Sequence, residues 1–237
     1  MREYITSDLH LLHTNIIKYA ERNNYKPTDE DCMKMSWEIV SSIDNQIPDE
    51  PDVILWNLGD LFYGPLFSKA SFDGLTVFVD VMKGKHRTLN LILGNHDKQF
   101  LEFSNVNEKF DNLNEVFTKL GFDNVYDKPY LYIDFDTKKK FIFSHEPFFD
   151  TFSNEIYNIH GHTHQMSVDK DYFTIDIENY KMVKKAYDDS NRYLPEPVKL
   201  EHWEQKIVDP TKYINVCWDA TDGNVIKLQD IIKELSK

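Results

Sequence analysis

Short apolar runs alternate along the chain with stretches of helical period, and the runs share a design. "REYIT" at residues 2–6 opens into "SDLHLLH" at 7–13. "DVILWNLGD" (52–60) ends in an acid, "RTLNLILGNHD" (87–97) in Gly-Asn-His-Asp, "KKFIFSHEP" (139–147) in Ser-His-Glu-Pro and "NEIYNIHGHTH" (154–164) in Gly-His-Thr-His. Runs of this length bounded by turn residues read as buried strands. Strands that alternate with helical segments predict a layered α/β domain. In open sheets the loops leaving the C-terminal strand ends converge to build sites, and here those loops carry His, Asp and Asn.

Helical spacing fills the intervals. "TDEDCMKMSWEIVSSIDNQI" (28–47) predicts a helix capped by Thr28, with Asp31 three positions on and Met33, Trp37, Val40, Ile43 and Ile47 as its core stripe. "HTNIIKYAERN" (13–23) predicts a shorter helix, "NLNEVFTKLGF" (112–122) one stopped by Gly121, and "LQDIIKELSK" (228–237) a closing helix on Leu228, Ile231, Ile232 and Leu235. Residues 166–212 break the alternation. They are polar, yet carry Tyr172, Phe173, Tyr180, Tyr187, Tyr193 and Trp203, and they read as an excursion inserted in a single domain spanning 1–237.

Composition narrows the field. Length 237 suffices for one well-buried core, and the absence of any apolar run near the roughly 20 residues of a membrane span predicts no membrane segment. The start "MREYITSDLH" lacks the apolar stretch of a secretion signal. Cys32 and Cys217 form no CxxC pair and read as small buried hydrophobes in a reducing, cytoplasmic setting. A net charge of -13 repels polyanions and so argues against a broad footprint on long duplex nucleic acid. A small anionic substrate stays compatible, because bound cations can reverse the field locally.

Taken singly, the polar strand ends have bland explanations: a Gly-Asp turn at 59–60, a core histidine at 145, a chance His-x-His at 162–164. Asp8 and His10, two apart, would point the same way in extended chain. Taken together, five of the nine histidines (10, 96, 145, 162, 164) stand beside Asp8, Asp60 and Asn95 at predicted strand ends. Burying that many polar groups without partners would cost several kcal/mol for each ionised acid. Divalent cations remove that cost, and a thiolate-free mixture of carboxylate, imidazole and amide suits Mn, Fe or Zn better than Ca.

The ordered set Asp8-x-His10, Gly59-Asp60, Gly94-Asn95-His96-Asp97, His145 and Gly161-His162-Thr163-His164 resembles the calcineurin-like metallophosphoesterases. The likeness spans about residues 3–164 and resumes at "INVCWDAT" (214–221), similar to the closing strand of small bacterial and phage members. It implies a four-layer αββα sandwich of two mixed sheets flanked by helices. It also implies two divalent ions, manganese first, with iron, zinc or nickel as further candidates. By that resemblance Asp8, His10 and His164 hold one ion, Asn95, His145 and His162 the other, and Asp60 bridges them. The same resemblance implies that a metal-bridging hydroxide would attack phosphorus and that His96 would give the departing oxygen its proton.

The resemblance is to an enzyme hydrolysing phosphomono- or diesters of a small nucleotide-like or other substrate. A nuclease acting on nucleic-acid ends and a non-catalytic scaffold of the same fold are the alternatives, and a homo-oligomer stays open. The chain departs from the protein serine/threonine phosphatases, whose second motif reads Gly-Asp-x-x-Asp-Arg-Gly. "GDLFYGP" puts Tyr63 at the second Asp and Gly64 at the Arg, which weakens a protein-phosphatase reading. Asp97 could assist His96 or cap backbone, and His13 could reach the site's rim or pack at a helix start. Lys181, Lys184, Lys185 and Arg192 of the excursion could meet phosphate or form a solvated face.

Overall fold

The computed structural model describes residues 1–63, 72–99, 112–148, 156–166, 168 and 210–237. Two sheets carry the chain. The first has the order β4-β3-β2-β1-β9, where β1 is Arg2–Thr6, β2 Val53–Asn57, β3 Thr88–Ile92, β4 Asn124–Tyr126 and β9 Ile226–Lys227. Strands β1 to β4 run parallel, and β9 pairs antiparallel with β1. The second has the order β5-β6-β7-β8: β5 Tyr130–Ile133, β6 Lys140–Ser144, β7 Ile156–His160 and β8 Tyr213–Asn215. Here β5 is antiparallel to β6, and β6, β7 and β8 are parallel. The fold is α/β, two mixed sheets flanked by helices, as the resemblance implied.

Period-2 alternation splits the first sheet between two cores. Tyr4, Leu55, Leu89 and Leu91 pack toward the helices α2 (Asp29–Gln46), α3 (Phe72–Lys83) and α5 (Leu113–Leu120). Their neighbours Ile5, Trp56 and Ile92 meet Phe141, Phe143 and Ile159 of the second sheet. The C-terminal helix α6 (Leu228–Glu234) adds Leu228 and Ile232 to that inter-sheet core, with Ile231 and Leu235 partly buried beside them.

Local chemistry sets the helix ends. Thr28 caps α2 by accepting from the Asp31 N–H (3.2 Å), and Asp29, Glu30 and Asp31 complement the helix dipole. Buried Arg87 gives hydrogen bonds to the Asp44 and Ile47 carbonyls at the other end, a task more often left to glycine geometry. Gly121 stops α5 at φ 119°, and the short helix α4, Asn95–Lys98, follows β3.

Three expectations need correction. The core stripe of α2 is rotated: Met33 and Trp37 are exposed, at 45% and 38%, while Cys32, Met35, Ser36 and Ile39 join Val40, Ile43 and Ile47 inside. Trp37 instead leans on Phe78 of α3 (4.6 Å), so it lies at the rim of the buried face. The helix expected at 13–23 shrinks to α1, Ile16–Tyr19, since Glu21 turns left-handed at φ 52°. Asp8 and His10 are not extended: their φ values are 57° and 47°. The excursion 166–212, its lysines and Gly64 lie outside the described residues, apart from residues 166, 168 and 210–212.

Candidate metal centre

Beyond the sheet edge the first two loops keep hydrogen-bonding one another. Leu58 N donates to Thr6 O (2.9 Å), Asp8 N to Gly59 O (3.0 Å), His10 N to Asp60 O (2.9 Å) and Leu11 N to Leu61 O (2.8 Å). This irregular ladder satisfies the backbone while turning the side chains inward, which extended strands would not do. Five of the proposed ligand positions, Asp8, His10, Asp60, His162 and His164, have φ between 47° and 67°. Left-handed backbone costs a non-glycine residue roughly 1–2 kcal/mol. Strain of this kind gathers at functional sites.

Two glycines let the loops close on the acids. A Cβ at Gly94 would overlap the Asp60 carboxylate and come within 2.5 Å of the Asp60 nitrogen, and one at Gly161 would overlap Ser7 Oγ and Asp8 Oδ2. Asp97 is fully buried, and its carboxylate accepts from the N–H groups of Asp60 (2.7 Å), Leu61 (3.1 Å) and Gly94 (2.9 Å). It therefore ties the β2 loop to the β3 loop, the backbone-capping role rather than a partner for the His96 ring. Burial, with the negative charge of Asp60, pushes Asp97 up to about 7 against those three donors.

The structure brings all eight sequence-selected residues together. Donor atoms of Asp8, His10 and His164 lie within 4.8 Å of one another, as do those of His10, Asp60 and His96, and those of Asp60, His145 and His162. Around His145 Nε2 stand Asn95 Oδ1 (3.0 Å), His162 Nδ1 (3.2 Å) and Asp60 Oδ2 (3.4 Å). Bond lengths of about 2.0–2.2 Å separate adjacent ligands of one ion by about 3 Å. His145 Nδ1 bonds the Leu58 carbonyl (2.9 Å), which fixes the ring with Nε2 facing the cluster.

The other group is marked by unmet need. Asp8 Oδ2 accepts from His162 N (2.8 Å) and Cys217 Sγ (3.1 Å), while Asp8 Oδ1 is buried with no hydrogen-bond partner. His10 Nε2 is likewise buried and without a partner, 3.8 Å from that same oxygen. The His10 and His164 rings stack at 5.2 Å, 18° apart. Orphaned donors and acceptors this deep are rare unless something else completes them.

Asp60 stands between the groups. Its Oδ1 accepts from the His96 N–H (2.8 Å), so Oδ2 alone faces both sides, 3.8 Å from His10 Nε2 and 3.4 Å from His145 Nε2. Of the two carboxylate oxygens, Oδ2 is thus the one placed toward both groups.

Charge follows geometry. Burial disfavours the ionised Asp60, but the hydrogen bond and charge of His145 outweigh it and hold the carboxyl below its usual range. Burial likewise opposes a charged His145, and the Asp60 hydrogen bond overrides it and raises His145 to about 9. Burial alone dominates at His10, whose protonation falls well below its ordinary value, and at His162, also lowered.

Three residues beyond the motifs complete the site. His13 is buried, 3.4 Å from His10 through their Nδ1 atoms, and its ring lies flat on Tyr63 at 4.0 Å. It belongs to the site's wall, as one of its two sequence readings allowed. Burial, then the neighbouring His96, lowers His13 to about 4. Arg22 and Asp219 were not singled out from sequence; Asp219 Oδ2 bonds His164 Nδ1 at 2.8 Å. Asp219 lies 55 residues from that partner and Arg22 lies 197 from Asp219, so no local spacing could have joined them.

The family model described as calcineurin-like phosphoesterase matches residues 1–222. No curated protein matches the chain. Among solved structures, a protein of unknown function from Aquifex aeolicus is similar over 98% of both chains at 18% identity and TM-score 0.52, a likeness of fold. The Pseudomonas putida nuclease MPE overlaps 68% of this chain and 61% of its own at 18% identity, with TM-score 0.41. Among the described residues no helix is long and apolar enough to cross a membrane.

Proposed function

This chain belongs to the calcineurin-like phosphoesterases, and on that premise we propose that it hydrolyses phosphomono- or diesters with two divalent ions, its substrate a small nucleotide-like or other phosphoester. The observation that carries the reading is the pair of orphaned buried atoms, Asp8 Oδ1 and His10 Nε2, beside an Asp60 oxygen that faces a second ring of donors. Asp8, His10 and His164 would hold one ion, Asn95, His145 and His162 the other, and Asp60 both. The donor set fits: it offers hard oxygens and imidazoles of the kind manganese, iron, zinc and nickel accept, and the Cys217 thiol is held protonated by burial and by Asp8. Bound there, such ions lower the pKa of coordinated water and offset phosphate charge.

The protein's own groups do the rest. His96 is the residue we assign to the leaving group. Its side chain is 23% exposed while that of His10 is 2%, so it can meet a substrate entering from solvent. Its backbone is pinned by Asp60 Oδ1, which leaves the ring to turn toward the departing oxygen. A buried His13 stacked on Tyr63 walls that side against water. The acidic balance of the chain favours small esters over long duplexes, and two buried cysteines without a disulfide suit the cytoplasm.

A panel of monoester and diester model substrates, run after loading with Mn, Zn, Fe or Mg, tests the reading. Turnover of at least one class that chelator abolishes and metal restores is expected. Inactivity on both with every metal would contradict it, and a short oligonucleotide in the same panel separates a nuclease from a small-molecule esterase.

Metal affinity should rise with pH. His145 carries a proton up to about 9 in the metal-free chain, and a cation at its Nε2 must displace that proton. His10 is already neutral and adds no such penalty. Affinity is therefore expected to gain up to about tenfold per pH unit between 6 and 9. Calorimetry in buffers of different ionisation enthalpy should show net proton release on metal binding at pH 7, since, against burial, the hydrogen bond to Asp219 also raises His164.

A further inference from the structure

Among the described residues, Arg22 and Asp219 form a buried ion pair next to the donor cluster, with side-chain exposures of 6% and 5%. The pair is forked: Arg22 Nε donates to Asp219 Oδ1 at 2.8 Å and Nη2 to Oδ2 at 3.0 Å. The same guanidinium also donates through Nη1 to the Leu9 carbonyl (2.9 Å) and through Nη2 to the Asp8 carbonyl (3.0 Å). Asp219 Oδ2 takes one more donor, His164 Nδ1, at 2.8 Å. A buried pair contributes little net stability beside well-packed apolar groups of the same volume. Each extra bond here goes to the Asp8–His10 turn or to His164, and to nothing else among the contacts described apart from Met35 Sδ at 3.7 Å.

We propose that Arg22 and Asp219 are positioning residues for the subsite of Asp8, His10 and His164. Asp219 holds the His164 ring with Nδ1–H donated outward and Nε2 turned to the other donors. Arg22 locks the two carbonyls of a turn whose Asp8 and His10 are left-handed. Arg22 thus reaches the backbone of Asp8 and Leu9 and, through Asp219, the ring of His164, while in the other half His145 is held by the Leu58 carbonyl. An asparagine at 219 would keep the shape but turn an amide NH2 against Arg22 Nε, or against both Arg22 Nη2 and His164 Nδ1, so at least one of the three donors loses its acceptor. The inference rests on the metal-centre reading above.

Calorimetric titration of the metal-free chain with Mn²⁺ tests it. Wild type is expected to bind two ions. In Asp219→Asn one of the two events should weaken about 10–100-fold, the usual effect of losing an outer partner of a metal-bound histidine, with the other unchanged. Unaltered binding of both ions, or equal weakening of both, would overturn the assignment. A wild type that binds no ion would instead refute the metal-centre reading. A side-chain ¹⁵N spectrum of wild type, zinc-loaded or metal-free with the ring neutral, decides the matter even if the variant fails to fold. A proton on His164 Nδ1 is expected, and a bare Nδ1 would exclude the Asp219 hydrogen bond.

Discussion

Asp60→Asn is expected to lower kcat/KM by on the order of 10³-fold or more and to release at least one of the two ions. Asp60 Oδ2 is the oxygen that faces both donor groups, within 3.4 Å of His145 Nε2 and 3.8 Å of both His10 Nε2 and His96 Nε2. An amide there removes the central negative charge and presents either a neutral oxygen or a hydrogen-bearing nitrogen to the cations. Several kcal/mol of charge stabilisation depend on ions held in place, and each 1.36 kcal/mol is tenfold in rate. The same variant carries an internal control: without the Asp60 charge, His145 loses the partner that holds its proton, so its titration should fall back toward the ordinary histidine range. Steady-state kinetics with metal analysis on the same preparation, and histidine titration by NMR, read out both effects. Full activity with two ions retained would remove Asp60 from the centre.

His96→Ala should behave differently. Metal content is expected to stay at the wild-type level, because Asp60, His145 and His10 are each held by contacts independent of the His96 ring. Rate should fall about 10²–10⁴-fold on esters with poor leaving groups, the usual contribution of a positioned acid. The loss should be much smaller on nitrophenyl esters, whose leaving group departs without a proton. That contrast between substrates distinguishes proton donation from simple damage to the site. An equal loss on both classes would assign His96 to binding instead.

The sequence reached the centre because its residues travel in short motifs at strand ends. A strand that stops at a Gly-Asp or Gly-Asn-His-Asp announces both its boundary and its chemistry, so the loops after β1, β2, β3, β6 and β7 are legible in the sequence. The backbone was less legible. Asp8 and His10 look extended from their spacing, whereas the ladder to Gly59, Asp60 and Leu61 forces left-handed turns that only the paired loop could reveal. The helical period marks α2 but turns its buried face by about one position, because Met33 and Trp37 are apolar residues at the rim of the face that packs on the sheet. Helix α3 and the short strands β4, β5 and β9 carry no comparable motif at their ends. Strand β5 leaves Leu131 and Ile133 exposed, so apolar patterning gives it no inward signal. Asp219 was invisible for a different reason: its partners Arg22 and His164 come from distant loops, and a lone Asp after a Trp has no local pattern.

Anomalous diffraction from manganese-soaked crystals tests the central claim most directly. Two manganese peaks are expected in each chain. One should lie among Asp8, His10 and His164, the other among Asn95, His145 and His162, each against the Asp60 carboxylate. A map with no anomalous density at these side chains, under conditions where the chain is folded, would contradict the account.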